Sequence, residues 1–125
     1  MVVAEARSIS EAAQATGLST HTLRYYERAG LMLDPITRAA STHRRFSDAE
    51  IDWVVFLTKL RSTGMPIRMV RRYAELVRVG TGNEAERLQL LEDHRHLVQR
   101  QLTESARNLR AIDAKIALYK ERISH

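Results

Sequence analysis

Five polar side chains within residues 20–25 are the best candidates in this sequence for binding another molecule. They are Thr20, His21, Thr22, Arg24 and Tyr25. Their hydroxyl, imidazole and guanidinium groups can donate hydrogen bonds to phosphate oxygens and to base edges in the major groove of DNA. Arg24 can bind guanine or a phosphate through two parallel hydrogen bonds. This chemistry requires a helix that presents these side chains outward.

The residues around this cluster have the spacing of a helix-turn-helix. Ala13 provides a small side chain on a first helix, and Gly17 allows the turn. Leu23 and Tyr26 provide apolar anchors beneath a second helix, so Tyr26 is predicted to be a core residue. An ordinary helical hairpin with a solvated charged face has the same spacing, and the pattern by itself leaves both readings open.

The predicted ends of these two helices follow from capping residues. Ser10 is predicted to cap the first helix, Ser19 to cap the second, and Gly30 to end the second. The predicted core residues of this region are Ile9, Leu18, Leu23, Leu31 and Leu33.

Residues 34–46 have no helical period and contain three arginines. We predict a loop or small hairpin that acts as a wing, with Arg44 and Arg45 gripping phosphate or the minor groove. Without the neighbouring motif, a solvated loop would be the simpler interpretation.

Two further helices are predicted after the wing. The sequence Ser47-Asp48-Ala49-Glu50 is a capping box that begins a third helix, which Gly64 ends. Pro66 suits the first turn of a fourth helix. Its predicted buried face consists of Ile67, Val70, Tyr73, Ala74 and Val77.

A heptad pattern runs through the last third of the chain. Residues 83–125 contain no glycine or proline, and apolar residues follow a 3-4 spacing that only Arg95 and Ser105 interrupt. The seam consists of Leu88, Leu91, Val98, Leu102, Leu109, Ile112, Ile116 and Tyr119, and Ile123 extends it. This pattern predicts a coiled coil that joins two copies of the chain. Folding of the helix back onto its own domain is the alternative.

Composition points to a polyanionic partner. The net charge is +5, and residues 1–78 carry 12 Lys and Arg against 8 Asp and Glu. A basic N-terminal part favours nucleic acid, and double-stranded DNA in particular once the motif is considered. There is no cysteine, which excludes disulfides, thiolate metal sites and thiol switches. No segment is typical of a signal peptide or a membrane span, so we expect a cytoplasmic protein with no membrane partner.

An enzyme is the first competing class. The chain has five histidines, and none forms a convincing pair with a carboxylate or a nucleophile. His94 and His96 are two residues apart and would not face each other on a helix. We therefore expect no catalytic residues, no metal and no cofactor. A coiled-coil interaction module with a vestigial helix-turn-helix is the second competing class.

The full set of motifs resembles the MerR family of bacterial transcription regulators. The resemblance rests on ISEAAQATGLSTHTLRYYERAGL, on HRRF, on a helix ending LRSTGMPI, and on the long heptad helix, and it spans essentially the whole chain. The string THTLRYYERAGL is highly specific. The helix IDWVVFLTKLRSTGMPIRMVRRYAEL is most similar to short members associated with aldehyde and thiol stress.

The resemblance implies a mainly α-helical fold with two domains. Residues 1–80 would form a winged helix-turn-helix that docks in the major groove. Residues 81–125 would form an antiparallel coiled-coil dimer. Carried over by position, Arg24 and Tyr25 match the contacts of the second helix to DNA, and Tyr26 matches the second aromatic residue of that motif. Tyr26 is therefore also counted among the candidate DNA-binding residues. Arg44 matches a wing arginine, and Arg61 a phosphate-facing arginine of the third helix.

The resemblance also implies a mode of action. The operator would be a near-palindrome between promoter elements set too far apart, and the regulator would realign them for RNA polymerase by distorting the DNA. A blocking repressor is the alternative. The chain departs from the family pattern at His43 and Phe46, where tyrosines are common, and in lacking the sensor cysteines. Because the chain stops after the coil, we expect no appended drug-binding domain. A small-molecule effector is possible, and its identity is open.

Overall fold

A computed structural model describes residues 7–33 and 45–124, apart from the side chain of Arg45. The chain divides into two units, Met1–Leu88 and Gln89–His125. The elements in chain order are β1 (Arg7–Ser8), α1 (Ile9–Thr16), α2 (Thr20–Arg28), β2 (Arg45–Phe46), α3 (Asp48–Ser62), α4 (Ile67–Val79) and α5 (Glu84–Ile123). This confirms a mainly α-helical fold with a helix-turn-helix and a long last helix.

The first helix begins two residues earlier than its predicted cap. Ser8, not Ser10, is the N-cap, and its hydroxyl accepts a hydrogen bond from the Glu11 backbone N–H at 3.2 Å. The Glu11 carboxylate in turn accepts one from the Ser8 N–H at 2.8 Å. Ser10 is the second residue of α1 and lies inside the helix, whereas a cap precedes the first helical residue. The prediction of Ser10 was therefore wrong.

The turn and the second helix follow their predictions. Gly17 has φ 74°, a left-handed conformation in which glycine avoids the strain of a side chain. Ser19 caps α2, because its hydroxyl accepts a hydrogen bond from the Thr22 N–H at 3.0 Å. Three residues, 17–19, join the two helices, which is the turn length of a helix-turn-helix.

The core of the first unit is formed by buried side chains of α1, α2, α3 and α4 and of the segments between them. Its fully buried large side chains are Leu23, Leu31, Phe46, Val54, Leu57 and Val70. The predicted core residues Ile9, Leu18 and Leu33 are only half-buried. Met32 and Leu76 are buried although the helical pattern did not predict them. The burial of Leu23 fixes which face of α2 points outward.

The third and fourth helices lie where they were predicted, but the buried face of α4 differs. Val70 and Ala74 are buried as predicted, whereas Ile67, Tyr73 and Val77 are half-buried. The capping box of Ser47 and Glu50 at the start of α3 is confirmed. Pro66 is the N-cap of α4 and not a member of its first turn, since its ψ of 147° is extended and the helix begins at Ile67. Proline fixes φ alone, so it fits the cap as well as the first turn.

Two short strands join the start of α1 to the start of α3. Arg7 pairs with Phe46 and Ser8 with Arg45 in an antiparallel register. Arg7 also forms an ion pair with Asp48. Of the wing predicted at 34–46, only the last two residues are among those described, and they form β2.

The second unit consists of the greater part of α5, a helix of 40 residues and about 60 Å. Six seam residues expose between 46% and 65% of their surface: Leu88, Leu102, Leu109, Ile112, Ile116 and Tyr119. Leu91 and Val98 are half-buried. Within the described ranges, no helix combines the length and the hydropathy needed to cross a bilayer.

Candidate nucleic-acid interface

The outer face of α2 presents four side chains that can contact DNA. His21, Arg24, Tyr25 and Arg28 are exposed, and Tyr25 exposes 42% of its surface. The opposite face of the same helix is buried through Leu23, whose side chain is inaccessible. A short helix anchored on its inner face therefore offers two guanidinium groups, an imidazole and a phenol to solvent.

Arg28 was missing from the predicted site. It lies four residues after Arg24, which places both guanidinium groups on the same side of α2, one turn apart. Stepping one helical turn forward from Arg24 would have found it in the sequence. Arg28 also lies in the last turn of α2, where a cation interacts favourably with the helix dipole.

The two predicted threonines contribute less exposed surface. Thr20 and Thr22 are half-buried. The Thr22 hydroxyl forms a hydrogen bond of 3.0 Å with the Ser19 hydroxyl. Thr22 therefore takes part in the cap of α2, and this bond uses part of its hydrogen-bonding capacity.

Tyr26 is a core residue. Only 5% of its surface is exposed, and its hydroxyl lies 3.1 Å from the Thr58 hydroxyl of α3. Of the two roles predicted for Tyr26, burial supports the apolar anchor. The direct DNA contact is corrected, because a ring sealed against α3 cannot reach a groove. Tyr25 lies beside it, with the ring centroids 6.3 Å apart.

The predicted wing arginines fall at the edge of the described structure. Arg44 lies outside the described residues. Arg45 belongs to β2 through its backbone pairing with Ser8, and nothing is described of its side chain. Their contacts with phosphate or the minor groove stay predictions.

Arg61 is exposed in the last turn of α3. One of its terminal nitrogens donates a hydrogen bond of 2.7 Å to the backbone carbonyl of Met65. Because a guanidinium carries five N–H donors, this bond leaves others for a phosphate. Arg61 belongs to α3 and is therefore not part of the exposed face of α2.

The described residues contain no group of three or more His, Cys, Asp or Glu side chains that could hold a metal ion. The chemistry concentrated on α2 is that of hydrogen-bond donation and positive charge, which suits the binding of a polyanion.

The sequence matches the model of a family described as MerR HTH family regulatory protein over residues 7–76. An uncharacterized HTH-type transcriptional regulator of Haemophilus influenzae is 35% identical over 112 residues, which cover 90% of this chain and 82% of that protein. The HTH-type transcriptional regulator AdhR of Bacillus subtilis is 34% identical, over 70% of this chain and 62% of AdhR. These relatives are regulators of transcription, not enzymes.

Solved structures of MerR family regulators are also similar to this chain. The structure of HiNmlR, a MerR family regulator lacking the sensor domain, bound to promoter DNA, has a TM-score of 0.83 and 33% identity. The match covers 94% of this chain and 92% of HiNmlR. A putative MerR family transcriptional regulator from Listeria monocytogenes has a TM-score of 0.82 and 33% identity, covering 90% of this chain and 85% of that one.

Proposed function

The chain belongs to the MerR HTH family of regulatory proteins and is a DNA-binding transcription regulator; from that premise we propose that it acts as a homodimer on a near-palindromic promoter operator. The observation that carries this proposal is the exposed face of α2, with Arg24, Tyr25 and Arg28 directed away from a buried inner face. The similar regulator HiNmlR was captured on promoter DNA, which supports the same partner for this chain.

Arg24 is the residue that we expect to contribute most to operator recognition. It lies near the middle of α2 and is exposed between His21 and Arg28. A guanidinium can form two parallel hydrogen bonds to guanine, which distinguishes that base from the others. Tyr25 and Arg28 can donate to the phosphates on either side, which fixes the helix in the groove without reading sequence.

The dimer is proposed from the exposed seam of α5. An apolar stripe that runs through most of a 40-residue helix is costly in water, and a second copy of the same helix supplies the complementary surface. Arg95 is exposed and occupies a seam position, so its charge affects whether the two helices pair in a parallel or an antiparallel direction. In a parallel pair Arg95 would face the partner's Arg95, and like charges in a seam repel.

An antiparallel pair removes this repulsion. One antiparallel register of the heptad sets Arg95 opposite the partner's Tyr119, where a cation–π contact of about 0.5–2 kcal/mol can form. The same register brings Glu92 beside the partner's Lys120, so the flanking charges are complementary. Both residues are exposed on α5 and are available for this pair.

A charge exchange tests this register. We expect Glu92→Lys and Lys120→Glu each to weaken the dimer, measured by sedimentation equilibrium, and the double variant to restore most of the loss. Restoration of nothing in the double variant would reject the antiparallel register, because in a parallel pair Glu92 lies beside the partner's Arg87 and not beside Lys120.

We further propose that the dimer activates transcription by distorting a promoter whose spacer is too long for RNA polymerase. A dimer sets two α2 helices at a fixed separation, near a multiple of one DNA turn of about 34 Å. Contacts from Arg44, Arg45 and Arg61 would offset a deformation cost on the order of 1–6 kcal/mol. Any small-molecule effector would act without reacting with a thiol of this chain, because the chain has no cysteine.

Transcription in vitro tests this mechanism. The native promoter is compared with one whose spacer is shortened by about two base pairs, a change that removes the need for untwisting. We expect the native promoter to require the regulator and the shortened promoter to be active without it. Repression of both promoters would identify a blocking repressor, and absence of operator binding would identify a coiled-coil interaction module.

A further inference from the structure

The four residues that follow α2 have an unusual set of hydrogen-bond partners. The backbone carbonyls of residues 29–32 accept hydrogen bonds from side chains of α3 and α4, one after another along the chain. Arg71 donates to Ala29 at 2.9 Å, and the Trp53 indole N–H donates to Leu31 at 2.8 Å.

Arg78 makes two of these bonds with a single nitrogen. Its Nη1 lies 2.9 Å from the Gly30 carbonyl and 2.8 Å from the Met32 carbonyl. Arg71 and Arg78 are seven residues apart on α4, which places them on one stripe of the helix. The exit of α2 is therefore connected to α4 through two guanidinium groups.

The carbonyls of residues 29–32 need other donors because they lie beyond the end of α2, where the helix supplies no N–H for them. The last carbonyls of α2 itself are already bonded, since Tyr25, Tyr26 and Glu27 accept from the backbone N–H groups of Ala29, Leu31 and Gly30. A cation at this end also interacts favourably with the helix dipole. Hydrogen bonds from a charged donor are stronger than neutral ones, so Arg71 and Arg78 hold the turn more firmly than water would.

The contacts of α4 continue to the first turn of α5. Arg72 donates to the Glu86 carboxylate at 2.6 Å, and the Asn83 side-chain amide donates to the Leu76 carbonyl at 2.8 Å. These bonds would transmit a displacement at the start of α5 to α4. Arg71 and Arg78 would then transmit it to the end of α2.

We propose that Arg71 and Arg78 are positioning residues for DNA recognition. They fix the exit of α2, and with it the orientation of Arg24 and Arg28, without contacting DNA themselves. The inference rests on the proposed role of α2 in reading the operator. Both arginines are exposed, so a direct phosphate contact is the interpretation that the experiment must separate from positioning.

Charge-preserving variants separate the two roles. Lysine keeps the positive charge and can contact a phosphate, but it lacks the planar fork and the reach that bridges two carbonyls. We expect Arg78→Lys to reduce the ratio of operator to random-DNA affinity about tenfold, the effect of one lost charged hydrogen bond. The slope of affinity against salt should stay unchanged, because no phosphate contact is lost.

The matched control is Arg68→Lys, an exposed arginine of the same helix. It should leave the affinity ratio unchanged. Trp53 provides a second readout, because it is the one tryptophan of the chain and its indole N–H bonds within the affected turn. Its fluorescence should change in Arg78→Lys and not in Arg68→Lys. If Arg78→Lys fails to fold, Arg71→Lys takes its place.

The outcomes are distinguishable. An unchanged ratio in Arg78→Lys, with Arg78→Gln losing affinity and salt slope together, would identify a phosphate contact and overturn the proposal. An unchanged ratio in Arg78→Lys and Arg78→Gln alike would overturn it as well. If the wild-type protein itself does not prefer its operator over random DNA, then the proposed function fails, and the positioning role fails with it.

Discussion

The two units of this protein use apolar residues in opposite ways. In the first unit, side chains such as Leu23, Leu57 and Val70 are fully buried. In α5, Leu102, Leu109 and their neighbours along the seam expose about half of their surface or more. Leu23 and Leu57 are thus already covered within one chain, whereas we propose that the leucines of the seam are covered by a second chain. Stability and assembly therefore depend on different parts of the sequence.

The largest expected effect comes from a charge in the seam. Leu102→Asp should prevent dimerisation and reduce operator affinity by about 10²–10⁴, since one half-site no longer raises the effective concentration of the other. Gel-shift titration at fixed salt measures the affinity. The matched control is Thr103→Asp, an exposed neighbour outside the seam. Equal affinity losses in both variants would mean that the seam has no special role.

The next effect compares the same truncation in the two regions. Leu57→Ala should lower the free energy of unfolding by about 2–5 kcal/mol, because it leaves a cavity in a closed core. Leu109→Ala should lower stability by an amount that depends on protein concentration, because in the proposed dimer Leu109 is covered by the second chain. Thermal denaturation at several concentrations checks both. A concentration-independent loss for Leu109→Ala would contradict the comparison.

Removal of the central guanidinium of α2 should affect binding and not folding. Arg24→Ala should weaken operator binding by about 1–3 kcal/mol while the melting temperature stays unchanged. Arg24→Lys should lose most of the same amount on the operator and little on random DNA, because its charge remains. Unchanged operator affinity in Arg24→Ala at fixed salt would refute the role assigned to this residue.

The smallest effect tests the corrected helix cap. Ser8→Ala should lower the free energy of unfolding by about 0.5–2 kcal/mol, because it removes the acceptor of the Glu11 N–H. Ser10→Ala should change it by no more than about 0.5 kcal/mol, the usual range for an exposed surface position. Urea denaturation distinguishes the two. A larger loss in Ser10→Ala than in Ser8→Ala would indicate that Ser10 caps α1, against the structure.

These residues also indicate which features local sequence can predict. The capping box at Ser47 and the burial of Leu23 depend on spacings of three or four residues, and the sequence contains both in full. The Ser10 cap was wrong because the prediction did not take account of the capping box of Ser8 and Glu11, which are also only three residues apart. Arg28 was missed although the helical phase of Arg24 leads to it.

Other features depend on contacts between distant residues. The bonds from Arg71 and Arg78 to the turn after α2 join residues 42 to 48 positions apart, and no local pattern signals them. Every residue has a backbone carbonyl, so the sequence does not show which carbonyls after α2 accept these bonds. Their donors are known only from the position of α4. The wing contacts of Arg44 and the dimer seam stay predictions, because the first lies outside the described residues and the second needs another chain.

The stoichiometry of the operator complex tests the central claim most directly. Light scattering coupled to size-exclusion chromatography gives the mass of the protein, alone and on a near-palindromic duplex, at micromolar concentration. The account predicts twice the 14.3 kDa mass of the chain in both cases, with two copies of α2 on each duplex. A single chain in solution and a single chain bound to each duplex would contradict it.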